Sequence, residues 1–183
     1  MRHLTLITTG GTIEKTYNER TGTLENRRSI VRRMLARLRL EGTSISTIEL
    51  MSKDSLLMDG DDRRRVIESV RAAGGFHDPV TEASGIVILH GTDTLCMTGE
   101  SVLAAASERG GTGPRIPIVL TGAMRPYEMK HSDAVQNLTE AVFATGVLLP
   151  GVYAVAHGRA LRFPGVTKDR DRGTFVTTQP SRL

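Results

Sequence analysis

The sequence predicts an α/β fold, with a predominantly parallel sheet flanked by helices. Segments typical of strands alternate with segments typical of helices along the 183 residues, and several of the strands are continuously apolar. Alternation with continuously apolar strands is typical of parallel sheets that are covered on both faces. Residues 1–176 are expected to form a single domain, and residues 177–183 a tail.

Two strands and two helices are predicted in the first half of the chain. The strands are predicted at 3–7 and 44–50, and the helices at 26–40 and 61–73. The first helix rests on the spacing of Ile30, Val31, Met34, Leu35 and Leu38, which falls on one helical face. Residues 14–26 show neither periodicity and are expected to be a loop.

The second half repeats the alternation. Strands are predicted at 85–89, 116–120 and 151–156, and helices at 99–109 and 132–146. Gly110 and Gly111 are expected to close the first of these helices; Ser132 or Asp133 is expected to cap the second, and Gly146 to end it. Residues 74–84 and 157–176 are expected to be loops.

Composition and charge narrow the function classes. Lys and Arg number 24 against 20 Asp and Glu, and the excess is concentrated in the predicted helix at 26–40. A solvated basic face is the preferred interpretation, and an anionic partner such as RNA, DNA or lipid headgroups is the alternative. The sequence shows no signal peptide and no apolar run of membrane-spanning length, so a cytoplasmic protein without membrane contact is expected.

Three predicted strands end in the same way, in "TLITTGGT", "IVILHGTDT" and "PIVLTGAMRP". Each passes from apolar residues to Thr or His, then Gly, then small or polar residues. The carboxyl ends of parallel strands lie along one edge of a sheet, where ligands bind. Thr12, Thr92, Asp93, Gly122 and Ala123 are therefore expected to gather in one crevice.

The residue types at this edge exclude several chemistries. "TTGGT" lacks the spacing of a dinucleotide or P-loop motif, the five histidines show no paired metal-binding spacing, and there is no GxSxG elbow. Threonine hydroxyls, a carboxylate and the lysine of "GVTKDRD" remain. A hydroxyl is a weak nucleophile that needs a base, and a lysine can be that base.

"TTGGTIE", "HGTDT", "VLTGAMRP" and "GVTKD" occur in this order in bacterial L-asparaginases, and the chain most closely resembles their short-chain form. The resemblance covers about residues 4 to 176. It implies hydrolysis of L-asparagine to L-aspartate and ammonia without a cofactor, and some members also cleave glutamine. Longer members carry a second, carboxyl-terminal domain, which is expected to be absent here.

The resemblance also implies catalytic residues. Thr12 matches the primary nucleophile, and Tyr17, on a loop expected to act as a lid, matches the tyrosine that helps to activate it. Thr92, Asp93 and Lys168 match the remaining catalytic group. The opposite assignment, with Thr92 as nucleophile and Thr12 as helper, fits the sequence equally well.

A second set of matches concerns substrate binding. Ser55, beside Asp54 in "KDSLLMDGDD", matches the serine that binds the α-carboxylate, although Ser52 in "SKD" also fits. Asp93, with Thr92, matches the group for the α-ammonium, and Ala123 the backbone that contacts the side-chain amide.

Simpler roles stay open for several of these residues. Thr12 and Thr92 could be turn residues, Asp93 a helix cap, Tyr17 a surface residue and Lys168 a solvated charge.

The family builds its sites at close contacts between protomers, so a homo-oligomer, dimer or tetramer, is expected, with no need for nucleic acid. Two other functions remain as alternatives. One is an asparaginase-like subunit of a tRNA-dependent amidotransferase, and the other is a non-catalytic anion-binding module.

Overall fold

The structure is a computed structural model that describes residues 1–76, 83–108 and 113–178. Its main sheet has six strands in the order β4-β1-β5-β6-β7-β8. The strands in that order are Thr43–Lys53, Arg2–Gly10, Ala83–Leu89, Pro117–Thr121, Gly151–Ala156 and Arg159–Arg162. Neighbours pair in parallel except β8, which runs antiparallel to β7. The predicted fold class is confirmed.

The helices cover both faces of this sheet. Their bounds are Val31–Leu35 for α1, Gly60–Ala72 for α2, Leu95–Ser107 for α3 and Ala134–Ala144 for α4. One apolar cluster joins α2 and α3 to side chains such as Ile86 and Ile88, and a second joins α1 and α4 to Val87 and Leu89. Successive residues of β5 thus enter opposite cores, which explains why the strand is continuously apolar.

The predicted arginine-rich helix at 26–40 is wrong in length, because α1 covers only Val31–Leu35. Its apolar spacing is correct, since Val31 and Met34 are fully buried while the arginines between them point outward. Residues before the helix use their polar groups in tertiary contacts instead. Asn26 Nδ2 donates to Gly11 O at 2.8 Å, and Ile30 N donates to Glu14 Oε1 at 3.2 Å.

Short strands occupy two segments that were expected to be loops. Thr16–Asn18 (β2) and Thr23–Glu25 (β3) pair as one antiparallel hairpin, and Val166–Asp169 (β9) and Thr174–Thr177 (β10) pair as another. Each strand has only three or four residues and mixed polarity, too little for a period-2 signal. The predicted helix stop at Gly110 and Gly111, and most of the predicted tail, lie outside the described residues.

Local hydrogen bonds determine where α2 and α4 begin. Asp59 and Asp62 form a capping box at the start of α2. At α4, Ser132 Oγ accepts from Ala134 N at 3.1 Å, whereas Asp133, the N-cap residue by position, turns its carboxylate elsewhere.

No helix in the described parts of the chain is long and apolar enough to cross a membrane.

Candidate active site

The carboxyl ends of β1, β5 and β6 meet at one edge of the sheet. Gly11, after β1, lies so close to Gly91, after β5, that a Cβ on Gly11 would overlap the Gly91 backbone. A Cβ on Gly122, after β6, would overlap the carbonyl oxygen of His90 and lie 3.1 Å from Thr92 Cγ2. The structure therefore brings the segments of Thr12, Thr92 and Ala123 together at one edge of the sheet.

Lys168 reaches this edge from β9 and contacts two neighbouring polar residues. Its Nζ donates to Thr92 Oγ1 at 2.8 Å and to Asp93 Oδ1 at 3.0 Å. The side chains of Lys168 and Asp93 are only 16% and 24% exposed, so these contacts are shielded from much of the solvent screening that weakens surface pairs. The adjacent hydroxyl and carboxylate of Thr92 and Asp93 thus form one hydrogen-bonded unit with an amine that is distant in sequence.

Thr12 begins a short 3-10 turn, Thr12–Glu14, and is partly exposed. Glu14, at the end of the turn, is buried and accepts hydrogen bonds from Gly10 N, Ile30 N and the Ser29 hydroxyl. Burial raises the pKa of the Glu14 carboxyl above its ordinary value, although these hydrogen bonds oppose the shift. Glu14 fixes the turn that carries Thr12, a role that the sequence did not indicate.

Tyr17 lies on β2 of the hairpin after Thr12 and is 58% exposed. Its backbone N–H donates to Glu128 Oε2 at 2.9 Å, and its hydroxyl lies 4.0 Å from the Cβ position of Gly22. Within the described residues its hydroxyl forms no hydrogen bond with Thr12. The structure therefore does not join Tyr17 to Thr12 by a hydrogen bond.

Ser55 and Asp54 follow the carboxyl end of β4. Ser55 is buried, packs against Gly91, and accepts at its carbonyl oxygen from Thr94 Oγ1 at 3.0 Å. Asp54 Oδ2 accepts from Lys15 Nζ at 2.7 Å, and hydrogen bonds from Lys15 and from Leu56 N hold the pKa of Asp54 below its usual range. Lys15 is a neighbour of the site that the motifs did not reveal.

A polar network holds the segment that contains Ala123, which is fully buried. Asp133 accepts from Met124 N at 2.9 Å and from His157 Nε2 at 2.9 Å, while Asn137 Nδ2 donates to Gly122 O at 2.9 Å. Burial opposes ionisation of Asp133, but the hydrogen bonds it accepts outweigh burial and lower its pKa. No sequence signal pointed to this network, because its members meet only in the folded chain.

His90 braces the end of β5. Its ring is fully buried, with Nδ1 at 2.8 Å from Gly91 O and Nε2 at 2.9 Å from Thr98 Oγ1. A carbonyl oxygen can only accept, so Nδ1 carries the proton and Thr98 donates to Nε2. Burial lowers the pKa of His90 to about 4, which keeps the ring neutral near pH 7.

The part of the chain that the structure describes holds no group of three or more His, Cys, Asp or Glu side chains arranged to bind a metal ion. The polar groups at this edge of the sheet include the hydroxyl of Thr92, the amine of Lys168 and the carboxylate of Asp93. These groups are suited to attack on a carbonyl carbon and to proton transfer.

A family model and several known proteins match most of this chain. The family model described as "Asparaginase, N-terminal" matches residues 3–177. The L-asparaginase of Thermococcus kodakarensis is 29% identical over 170 residues, which are 93% of this chain and 48% of that protein. One subunit of the glutamyl-tRNA(Gln) amidotransferase of Methanococcus vannielii is 28% identical over 166 residues, which are 86% of this chain and 35% of that protein.

Solved structures show the same fold. The thermostable L-asparaginase of Thermococcus kodakarensis superposes with a TM-score of 0.78 at 28% identity, over 96% of this chain and 51% of that one. L-asparaginase I of Vibrio cholerae superposes with a TM-score of 0.74 at 21% identity, over 98% of this chain and 52% of that one. The chain thus spans about half the length of these asparaginases.

Proposed function

This chain belongs to the asparaginase family, and from that membership we propose that it hydrolyses the side-chain amide of L-asparagine to L-aspartate and ammonia. Weak hydrolysis of L-glutamine accompanies this activity. The observation that carries the proposal is the contact of Lys168 Nζ with both Thr92 Oγ1 and Asp93 Oδ1 at the edge where Thr12 lies.

Thr12 is the nucleophile in this proposal. Its hydroxyl oxygen attacks the amide carbon, the C–N bond breaks, and the hydroxyl proton passes to the departing nitrogen, which leaves as ammonia. Backbone N–H groups near Gly91 and Gly122 stabilise the oxyanion that develops on the carbonyl oxygen. The product of this half-reaction is an aspartyl ester on Thr12.

Water then hydrolyses the ester. Lys168 takes a proton through the Thr92 hydroxyl from the attacking water and returns it to the Thr12 oxygen as the ester bond breaks, while Asp93 orients the lysine. General acid–base catalysis of this kind contributes about 10²–10⁴-fold to the rate. Tyr17 assists Thr12 once the β2–β3 hairpin closes over the substrate as a lid, a movement that excludes water.

Substrate binding uses the same edge. Asp93 accepts hydrogen bonds from the α-ammonium, Ser55 donates to the α-carboxylate beside Asp54, and the backbone at Ala123 contacts the side-chain amide. We assign the substrate subsite to these residues together with Thr92. The reaction requires water as the second substrate and uses no cofactor.

An ammonia-release assay with L-asparagine, with L-glutamine and without substrate tests this function. We expect release from L-asparagine to exceed release from L-glutamine. Thr12→Ala should abolish release, while Thr23→Ala, on the exposed side of the hairpin, should retain it. Wild-type release equal to the rate without substrate would refute the proposal.

The similarity to amidotransferase subunits favours a second candidate, an asparaginase-like subunit that supplies ammonia within a tRNA-dependent amidotransferase. This function predicts little ammonia from free L-asparagine by the chain alone. It also predicts stimulation of L-glutamine or L-asparagine hydrolysis by aminoacylated tRNA and a partner subunit, so the same assay separates the two candidates.

We further propose that residues 1–176 form one catalytic domain and that the chain acts in the cytoplasm as a homo-oligomer. Exposed apolar side chains at the end of α4 and beyond it, namely Phe143, Val147 and Leu149, offer surface that a second copy could cover. Light scattering that finds an active monomer at micromolar concentration would contradict the oligomer.

A further inference from the structure

Arg170 lies in the turn between β9 and β10, two residues after Lys168, and reaches the same carboxylate. Its Nη1 lies 3.0 Å from Asp93 Oδ1, the oxygen that also accepts from Lys168 Nζ. The Arg170 side chain is 69% exposed, whereas that of Asp93 is only 24% exposed. A guanidinium therefore borders the solvent side of the proposed ammonium subsite.

This arrangement leaves one carboxylate oxygen of Asp93 and several N–H donors of Arg170 unused by the contact between them. Both cations bind Oδ1, and within the described residues Oδ2 of Asp93 accepts no hydrogen bond. Arg170 offers five N–H donors in a planar fork, and the contact with Asp93 uses only part of them. The pair therefore presents a free carboxylate oxygen beside free guanidinium donors.

An α-amino acid carries the complementary pattern, an ammonium and a carboxylate on the same carbon. With the ammonium on Asp93, the α-carboxylate must lie within a few ångströms, where the guanidinium of Arg170 is located. Arginine binds carboxylates in a bidentate, charge-assisted manner that lysine does not reproduce.

We propose that Arg170 is a specificity-determining residue that binds the α-carboxylate of the substrate and restricts the site to free amino acids. This inference rests on the proposed function. Arg170 shares the α-carboxylate with Ser55, which follows the carboxyl end of β4. Loss of one charge-assisted contact lowers affinity by about 10- to 100-fold.

A cycle of enzyme and substrate changes tests this role. The kcat/KM for L-asparagine is compared with that for its α-amide, L-aspartic acid diamide, in which a neutral amide replaces the α-carboxylate, and the hydrolysis product is identified by mass spectrometry. The enzymes are the wild type, Arg170→Ala, Arg170→Lys and Arg172→Ala, an exposed arginine of the same turn.

We expect Arg170→Ala to lower kcat/KM for L-asparagine by about 10- to 100-fold, mainly through KM, and to leave that for the diamide nearly unchanged. Arg170→Lys should recover part of the loss, and Arg172→Ala should match the wild type. An equal effect of Arg170→Ala on both substrates, or no effect on either, would overturn the proposal.

Calorimetric binding of L-aspartate and of its α-amide keeps this test independent of turnover. Wild type that releases no ammonia from L-asparagine but binds L-aspartate more tightly than the α-amide, with the preference lost in Arg170→Ala, would refute the proposed function and retain the role of Arg170. Equal affinity for the two ligands in the wild type would refute the role of Arg170.

Discussion

Replacing Gly11 by alanine perturbs the contact that brings the ends of β1 and β5 together. Gly11 has φ 78° and ψ −177°, a conformation that side-chain-bearing residues essentially do not adopt, and a Cβ there would overlap the backbone of Gly91. Backbone strain of this kind amounts to about 1–3 kcal/mol. Overpacking adds about 1–3 kcal/mol, so Gly11→Ala should lower the free energy of unfolding by roughly 2–6 kcal/mol.

Alanine substitutions at three other glycines separate the contribution of backbone strain from that of overpacking. Gly42 has φ 61° with nothing within 4 Å of its Cβ position, so Gly42→Ala should lower stability by about 1–2 kcal/mol from strain alone. Gly122 has no positive φ but its Cβ would overlap His90 O, so Gly122→Ala should lower it by about 1–3 kcal/mol from overlap alone. Gly60, at the start of α2, meets neither problem, and Gly60→Ala should raise stability by about 0.4–1 kcal/mol.

Urea unfolding followed by circular dichroism measures all four variants under the same conditions, and ammonia release follows the site. The expected order of destabilisation is Gly11→Ala first, then the two single-effect variants, then Gly60→Ala. Gly11→Ala and Gly122→Ala should also lose ammonia release, because both displace the proposed oxyanion donors. A Gly11→Ala variant no less stable than Gly42→Ala would refute the close contact of the strand ends.

The remaining predictions concern titratable groups and the hairpin. Asp133→Asn should destabilise the fold by about 1.5–3 kcal/mol near pH 7. Because the pKa of Asp133 is lowered in the fold, the wild type loses its extra stability over Asp133→Asn as pH falls below about 4. A stability difference between the two proteins that is the same at every pH would contradict the lowered pKa. His90, with its pKa lowered to about 4, should stay neutral at about pH 5.5 in nitrogen NMR spectra, and an imidazolium signal at that pH would argue against this. Because the same histidine takes up a proton below about pH 6.5 in the unfolded chain, the folded state should lose stability as pH falls below that value. L-Aspartate should protect the segment from Glu14 to Gly22 from proteolysis, and equal cleavage with and without it would count against a lid.

Much of the fold follows from patterns that are local in sequence. The continuously apolar run at 85–89 predicts a strand buried on both faces, and Ile88 and Leu89 indeed enter opposite cores. The arginine-rich helix shows the limit of this approach. Its spacing predicts the buried face, but its length depends on whether the flanking backbone bonds within the helix or to distant partners such as Glu14.

The candidate site likewise has one part that the sequence predicts and another that it does not. The strand-end glycines and hydroxyls predict the edge where Thr12 and Thr92 lie, because parallel strands place their carboxyl ends together. Contacts such as Lys15 with Asp54, or His157 with Asp133, could not be predicted, since these partners are 39 and 24 residues apart and only the packing of loops brings them together. The catalytic role of Tyr17 stays a prediction, since its side chain is exposed and, within the described residues, forms no hydrogen bond with Thr12.

The acyl-enzyme on Thr12 is the most direct test of the proposed mechanism. Wild type, Thr12→Ala and Lys168→Ala are mixed with L-asparagine, quenched rapidly and analysed by intact mass and peptide mapping. Lys168→Ala should accumulate one aspartyl group on Thr12, because attack proceeds while hydrolysis of the ester lacks its base, and Thr12→Ala should acquire none. An aspartyl group on Thr92 in the Thr12→Ala variant would reverse the two threonines, and unchanged turnover of Lys168→Ala would remove the lysine from the reaction.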